Sequence, residues 1–272
     1  MADCSRENNP VAAHYNARAR DTDRTKRATS AAIGVRRFNN AVKRLLITDF
    51  ARGGGTVLDV CCGKGGDLAK YRHCGIGHYS GIDISPESTA EANRRYRSGG
   101  MAADFTAAFV CGDIRDPLPP VLSGDRGAVD LVACQFALHY VFGSADSASR
   151  ALANIAAALT PGGHFVATLP AGARIRERLT DRGGLHTLSL PSARYGVAYH
   201  FYLEGVVDCP EYVVDQGTLR GAAAAHGLDM RSYCPFGAYC EAHGEGALYA
   251  ALTADERAVV DLYAVAIFQK AG

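Results

Sequence analysis

The stretch Thr56-Val57-Leu58-Asp59-Val60-Cys61-Cys62-Gly63-Lys64-Gly65-Gly66-Asp67 constrains this 272-residue chain more than any other. Val57, Leu58 and Val60 read as a short buried strand, the glycines as a turn, and Leu68 and Tyr71 as the start of a helix. Glycine in such a turn allows positive φ and a close approach of backbone to a ligand. A helix N-terminus behind it aims free N–H groups and a partial positive charge at whatever binds. In open α/β sheets ligands sit in that crevice, at the carboxyl ends of the strands. The class is therefore a nucleotide-type binding fold.

Three details separate the possible nucleotides. The spacing of Gly63, Gly65 and Gly66 does not fit G-x-G-x-x-G, and no G-x-x-x-x-G-K-[ST] run is present, which excludes the usual dinucleotide and triphosphate cradles. Asp59 before the turn and Asp67 after it would repel a pyrophosphate. They suit a ligand bearing an ammonium and a sulfonium, as S-adenosylmethionine does. Asp83 ends the next strand-like run, His78-Tyr79-Ser80-Gly81-Ile82-Asp83-Ile84, where an acid can accept both ribose hydroxyls. The stretch resembles the nucleotide fold of S-adenosylmethionine-dependent methyltransferases.

The length accommodates one domain of about 200–250 residues with small additions. Hydrophobic content of 48% and charged content of 21% are those of a globular protein. No apolar run approaches the roughly 20 residues of a membrane span, so no membrane association is expected. The first residues, Met1-Ala2-Asp3-Cys4-Ser5-Arg6-Glu7, hold no apolar segment, and no secretory signal is expected. Nine cysteines without paired C-x-x-C units point to a reducing compartment and to no metal site. Residues 1–50 hold ten Lys+Arg against five Asp+Glu, which leaves the rest of the chain at −4 within a net charge of +1. Arg18, Arg20, Arg24, Lys26, Arg27, Arg36, Arg37, Lys43 and Arg44 make up this excess. It suits a phosphate-bearing partner, or equally a solvated basic leader.

In order along the chain, residues 1–30 read as a flexible basic segment and 31–272 as a single domain. Helical spacing runs over 33–50 (Val35, Phe38, Val42, Leu45, Leu46, Phe50) and sets Asn39 and Lys43 on one face. Strands are then expected at 57–61, 78–84, 105–111, 129–134 and 163–169. Helices are expected from 67, over 86–97 behind Pro86, and around 147–159. Pro161-Gly162-Gly163 reads as a helix-to-strand turn. The alternation implies an α/β, doubly wound, mostly parallel sheet. Beyond Pro170, antiparallel strands are expected at 196–207 and 212–214, a helix at 219–226, and further strands at 228–233 and 259–268. An insertion over roughly 171–211 is expected to cover the crevice.

Specificity comes from Gln135-Phe136-Ala137-Leu138-His139-Tyr140 and Leu203-Glu204-Gly205-Val206-Val207-Asp208-Cys209-Pro210-Glu211. They resemble two runs of the mRNA cap guanine-N7 methyltransferases. Asn39-Asn40-x-x-Lys43, the run from Leu58 to Leu68, Asp83-Ile84, Pro161-Gly162-Gly163 and Tyr263 keep the family's order. The resemblance implies a Rossmann-like methyltransferase fold with an antiparallel insertion over the cap. It implies S-adenosyl-L-methionine as cofactor, S-adenosyl-L-homocysteine as product, and a GpppN-capped mRNA 5′ end as substrate. Nuclear residence and a capping enzyme or RNA polymerase II machinery as partners follow from the same family role. In that family the counterpart of Lys43 contacts the methionine carboxylate, and Asp59 and Asp67 lie near the amino end, beside Gly63 and Cys61. Asp83 matches the ribose acid, Asp113 the adenine-side acid, and Gln135 lies beside the cofactor. Asn39, Asn40, Phe136, His139, Tyr140, Phe201, Glu211 and Tyr263 would surround guanine and its ribose, with His200 the competing choice for Phe201. Lys64, Lys70 and Arg95 would face the triphosphate bridge. Cys61 departs from the pattern, because the family usually has glycine there.

The implied reaction needs no general base, since guanine N7 offers a lone pair and has no proton to lose. No catalytic acid, base or nucleophile is therefore expected, only proximity, orientation and electrostatic fit. Glu211 can accept from guanine N1–H and the 2-amino group, donors that adenine lacks. Taken as residues alone, Phe136, Phe201 and Tyr263 read first as core and His139 as structural, while for Asp59 and Asp83 a capping or turn role is the lesser reading. A small-molecule methyltransferase and a cap-binding module that has lost its cofactor are the alternative readings. No K-x-D-G motif is present, so formation of the cap itself is not expected.

Overall fold

The computed structural model describes residues 33–122, 127–181, 193–203 and 207–272. The basic segment expected over 1–30 lies outside them, as do Glu204, Gly205 and Val206 of the LEGVVDCPE run. The first described element, α1 (Ile33–Phe50), buries Val35, Phe38, Val42, Leu45, Leu46 and Ile47 along one face. Each such aliphatic or aromatic side chain gains about 1.5–3 kcal/mol from leaving water, which holds the helix down. After a glycine loop come β1 (Thr56–Val60), α2 (Leu68–His73), β2 (His78–Asp83), α3 (Pro86–Ser98), β3 (Thr106–Cys111) and β4 (Val129–Gln135). α4 (Ala145–Ala158), β5 (Leu159–Pro170) and α5 (Gly172–Asp181) follow. The rest comprises β6 (Ala198–Leu203), β7 (Val207–Tyr212), α6 (Gln216–Ala224), β8 (Leu228–Pro235), α7 (Phe236–Ala242), α8 (Gly246–Ala250), α9 (Ala254–Val260) and β9 (Tyr263–Lys270).

Seven strands form one sheet in the order β3-β2-β1-β4-β5-β9-β8, and β6 pairs with β7 separately. β3, β2, β1, β4 and β5 are parallel neighbours, while β9 runs antiparallel between β5 and β8. Strand alternation gives the sheet two buried faces. Val132 and Cys134 of β4 join α4 residues Leu152 and Ile155 on one side. Leu131 and Ala133 join Phe38, Val42 and Leu46 of α1 on the other. The chain leaves β1 toward β2 on one side, while β4 lies on the other. This is the switch point, and the crevice opens at the carboxyl ends of these two strands.

Several boundaries differ from the sequence expectation. The segment 259–262 is not strand. Ala254–Val260 is a helix closed by a capping box, in which Thr253 accepts from Glu256 N–H and the Glu256 carboxylate accepts from Thr253 N–H. Its signature, Thr253-x-x-Glu256, stands in the sequence ahead of an apolar pair that also suits a strand. The hairpin strands end at Leu203 and begin at Val207, and Val213 and Val214 follow them. Pro210 lies inside β7, opposite His200. A two-stranded ribbon tolerates proline there because each strand has a free edge. Pro161-Gly162-Gly163 bends the ladder within β5: pairing passes from Val129 with Leu159 to Leu131 with His164, and Gly162 adopts φ 74°. Among the described residues no helix is long and apolar enough to cross a membrane, and no cluster of His, Cys, Asp and Glu could hold a metal ion.

Candidate active site

The glycine turn after β1 is held by its own backbone. Gly63 has φ 53° and Gly65 φ 67°. The Gly63 N–H donates to Asp83 Oδ2 at 2.8 Å, and Ser85 N–H donates to Asp83 Oδ1 at 2.9 Å. Burial raises the Asp83 carboxyl, and these two backbone donors oppose it. A Cβ on Gly65 would stand 2.6 Å from Leu68, whereas over Gly63 lies open space. The turn is therefore packed against its helix and open toward the crevice.

Two more carboxylates flank it. Asp59 is buried and accepts from the Tyr79 hydroxyl at 2.9 Å. Burial, followed by the nearby charge of Asp67, pushes its carboxyl up to about 8. Asp67 is buried as well, yet its carboxyl is lowered, because Lys43 and Lys70 outweigh the burial. Lys43 Nζ donates to Asp67 at 2.9 Å and Lys70 Nζ at 2.6 Å, and Lys70 also reaches Asn40 Oδ1 at 3.3 Å. The fold thus gathers Asn40 and Lys43 of α1, Lys70 of α2 and the turn acid Asp67 into one network. Past β3, Asp113 accepts from Arg115 Nε at 2.8 Å and from Arg115 N–H at 2.9 Å. At the end of β4, Gln135 Oε1 accepts from Thr168 Oγ1 at 3.0 Å, while Gln135 Nε2 is buried and makes no hydrogen bond among the described residues. Asn39 Oδ1 is likewise buried and without a hydrogen-bond partner among the described residues.

Cys61 follows β1 with φ 58°, a left-handed conformation that costs a non-glycine residue roughly 1–2 kcal/mol. The nearby Cys134 thiol, followed by burial, pushes the Cys61 thiol up. Phe136 has φ 59° at the matching place after β4, and its N–H is held by Thr168 through both O, at 2.9 Å, and Oγ1, at 3.0 Å. Backbone in this region persists only where its surroundings over-determine it.

Beyond Phe136 an aromatic enclosure begins. Phe136 meets Tyr263 edge to face at 5.3 Å and Phe236 at 5.8 Å. Phe236 stacks on Tyr263 at 5.6 Å, and Phe201 meets Tyr263 at 6.3 Å. The 3-10 helix Leu138–Gly143 carries His139 and Tyr140, whose rings tilt together at 4.1 Å, and the Tyr140 hydroxyl lies 3.1 Å from Cys209 Sγ. Glu211 is only 3% exposed. It accepts a 2.5 Å hydrogen bond from the Tyr199 hydroxyl and lies 3.4 Å from His139 Nε2, a separation without hydrogen-bond alignment. Burial raises the Glu211 carboxyl, but His139 and the Tyr199 hydroxyl bring it below the usual range.

Among the expected site residues, Lys43, Asp59, Cys61, Gly63, Asp67 and Asp83 gather around the β1 turn, and Gln135 follows at the end of β4. Phe136, His139, Tyr140, Phe201, Glu211 and Tyr263 lie around the enclosure. His200 faces outward and pairs with Asp208 at 2.8 Å, so Phe201 is the inward-facing choice. Arg95 is tied to Glu91 one turn back on α3 at 2.7 Å and joins no crevice residue through that bond. Lys64 stands half-buried between Gly63 and Gly65. Sequence reasoning missed Tyr199, Thr168, Tyr79, Arg115 and Phe236. Tyr199 was within reach, since it precedes Phe201 by two and shares its face of the strand.

Comparisons with known proteins give the fold and the family. A solved S-adenosylmethionine-dependent methyltransferase from Mesorhizobium loti matches with a TM-score of 0.57 and 21% identity, over 86% of this chain and all of that one. The mRNA cap guanine-N(7) methyltransferase of Candida glabrata is 38% identical over 259 residues, covering 84% of this chain and 61% of the relative. That of Saccharomyces cerevisiae is 37% identical, over 83% and 58% respectively, so the chain spans about three-fifths of the length of these two relatives. The model of the mRNA (guanine-N(7))-methyltransferase domain matches residues 2–258, and the chain belongs to that family.

Proposed function

We propose that this chain transfers the methyl group of S-adenosylmethionine to N7 of the terminal guanine of a capped RNA 5′ end. The observation that carries the reading is Glu211, a buried carboxylate beside the rings of Tyr199, His139 and Tyr140 whose carboxyl is lowered by His139 and Tyr199. Such a carboxylate needs hydrogen-bond donors, and the Watson–Crick edge of guanine presents two, N1–H and the 2-amino group.

The crevice fits the cofactor. Open space over Gly63 admits a ligand against the backbone, Asp83 can accept from ribose hydroxyls, and Gln135 Nε2 has a donor to give. On this reading Lys43 would meet the carboxylate and Asp67 the ammonium of the methionine end. When bound, the cofactor supplies a methyl on a positively charged sulfur, which guanine N7 displaces in line. The enzyme's residues do the rest by placement. Phe136, Phe201 and Tyr263 confine the base, each stacking partner contributing on the order of 1–3 kcal/mol. Methylation leaves a positive charge on the guanine ring, and Glu211, held ionised, stabilises it as it develops. On this reading Asn39, Asn40, His139 and Tyr140 would line the same space, and Lys64, Lys70 and Arg95 would face the phosphate bridge. The family role further suggests nuclear work beside a capping enzyme or RNA polymerase II machinery.

Incubation with labelled S-adenosylmethionine and short RNAs capped with GpppG or ApppG tests the reading. Label entering only the GpppG RNA, recovered as 7-methylguanosine, supports it. Transfer to neither RNA, with cofactor binding intact, or equal transfer to both, overturns it.

A further inference from the structure

β5 crosses the core as Phe165-Val166-Ala167-Thr168-Leu169, every side chain fully buried. Thr168 is the polar one among them, and a hydroxyl withdrawn from water destabilises the fold unless it is bonded. Strand pairing does not call for it. Thr168 stands opposite Gln135, the last residue of β4, and its backbone O already takes the Phe136 N–H at 2.9 Å. The hydroxyl oxygen is a second acceptor for that same N–H, at 3.0 Å. A hydroxyl has one proton to give, and Thr168 gives it to Gln135 Oε1 at 3.0 Å.

This bond decides how the Gln135 amide stands. With Nε2 turned toward Thr168 instead, the hydroxyl proton would lose the acceptor it has, in a place closed to water. Oε1 therefore faces Thr168, and Nε2, buried and without a partner among the described residues, keeps its N–H groups for a ligand. The same hydroxyl oxygen helps to hold Phe136 at φ 59°, a conformation that persists only where its surroundings over-determine it. Where that backbone stands fixes where the Phe136 ring meets Tyr263 and Phe236.

Resting on the methyltransferase reading above, we propose that Thr168 is a positioning residue that couples the two sites. Its one hydroxyl presents the Gln135 amide to the cofactor donor-first and anchors the backbone of Phe136, whose ring confines the guanine. Thr168 itself touches neither ligand. Valine has the same branched shape and strand preference and lacks only the hydroxyl. Its substitution frees the amide to turn and leaves the Phe136 N–H with the backbone acceptor alone.

Four variants test the coupling: Thr168→Val, Thr168→Ser, Gln135→Leu, and Thr168→Val combined with Gln135→Leu. Calorimetry gives S-adenosylhomocysteine affinity, methyl transfer to GpppG-capped RNA gives kcat and KM, and urea denaturation confirms folding. Thr168→Val should weaken S-adenosylhomocysteine about tenfold and raise the RNA KM at saturating cofactor about 2- to 10-fold, the scale of one hydrogen bond. Thr168→Ser keeps the hydroxyl and should stay within about twofold of wild type in both. Gln135→Leu alone, with Thr168 untouched, should weaken S-adenosylhomocysteine by about tenfold or more. Adding Thr168→Val to it should change that affinity by no more than about twofold, since the amide it orients is gone. A role in packing alone would instead weaken binding equally in both backgrounds. Such equal weakening, a serine variant as impaired as valine, an unchanged RNA KM in Thr168→Val, or full cofactor affinity in Gln135→Leu overturns the coupling. If wild-type protein binds no S-adenosylhomocysteine, the cofactor reading fails and the coupling with it. Wild-type protein that binds it and methylates GpppG RNA, yet shows no effect of Thr168→Val, overturns the coupling alone.

Discussion

The cofactor crevice and the aromatic enclosure meet where β4 ends, yet they treat charge in opposite ways. On the crevice side three buried carboxylates stand close together, each with its own local answer. Asp83 takes two backbone N–H groups, Asp67 takes two lysines, and Asp59 takes a tyrosine hydroxyl. On the enclosure side a single carboxylate, Glu211, stands among rings with Tyr199 and His139 as its polar neighbours. A ligand with an amino group, a carboxylate, a sulfonium and a ribose needs several fixed charges of both signs. A base that is neutral before reaction and cationic after it needs one carboxylate in a place of low dielectric. On the proposed reading, this difference is what would let two sites so close together bind chemically unlike molecules.

The comparison breaks most sharply at Glu211. Glu211→Ala should lower kcat/KM on GpppG-capped RNA by about 10⁴-fold, the scale of a buried polar contact that selects its substrate. The same variant should leave S-adenosylhomocysteine affinity within about twofold, because it touches only the enclosure. Steady-state transfer and calorimetry on one preparation separate the two readouts. A matched loss in both would mean that the sites are not distinct.

Asp83→Ala should do the reverse, weakening S-adenosylhomocysteine by about 10- to 100-fold through the lost ribose acceptor and the slackened Gly63 turn. Glu211-dependent selection of GpppG over ApppG should survive in whatever transfer remains, measured at saturating cofactor.

Proton linkage sharpens the contrast inside the crevice. Asp59 has its carboxyl raised from an ordinary 3.8 to about 8, so between these values the folded chain binds a proton that the unfolded chain has released. Stability should therefore fall as pH rises through that window, and Asp59→Asn should flatten the fall. Asp67, lowered by Lys43 and Lys70, has the opposite sign: its contribution is present at neutral pH and is lost as acid protonates it. Urea unfolding between pH 5 and about 8, on wild-type and Asp59→Asn protein without cofactor, measures the first effect. A slope unchanged by the substitution would remove Asp59 as its source.

The smallest effect belongs to the turn itself. Cys61→Gly should relieve the left-handed backbone and stabilise the folded chain by up to about 1 kcal/mol, partly offset by the greater freedom of glycine when unfolded. Chemical denaturation would register this as a small upward shift of the midpoint.

How far the sequence foretold these regions depends on how local their causes are. The β1 turn was legible because strand, glycines and acids are adjacent in the chain, and α1 was legible because one apolar stripe runs its whole length. α9 was missed although Thr253-x-x-Glu256 announces it, since Val259 and Val260 also satisfy a strand. Pro210 obscured β7, because proline argues against a strand until its partner proves to be a two-stranded ribbon. The Glu211–Tyr199 bond was not legible, for it needs the register of a hairpin whose ends were misplaced. The Lys43–Asp67–Lys70 network was hidden for a related reason. Those residues were assigned separately to cofactor and phosphate, and only the packing of α1 beside α2 brings them onto one carboxylate.

The most direct test of the central claim, that Glu211 grips the guanine edge while N7 alone reacts, is competition by an RNA capped with 7-deazaguanosine. This cap keeps N1–H and the 2-amino group and replaces N7 with carbon. It should inhibit the wild-type reaction on GpppG RNA, take up no methyl group, and lose its inhibition in Glu211→Ala. Label entering the 7-deaza cap, or equal inhibition of both proteins, would contradict the account.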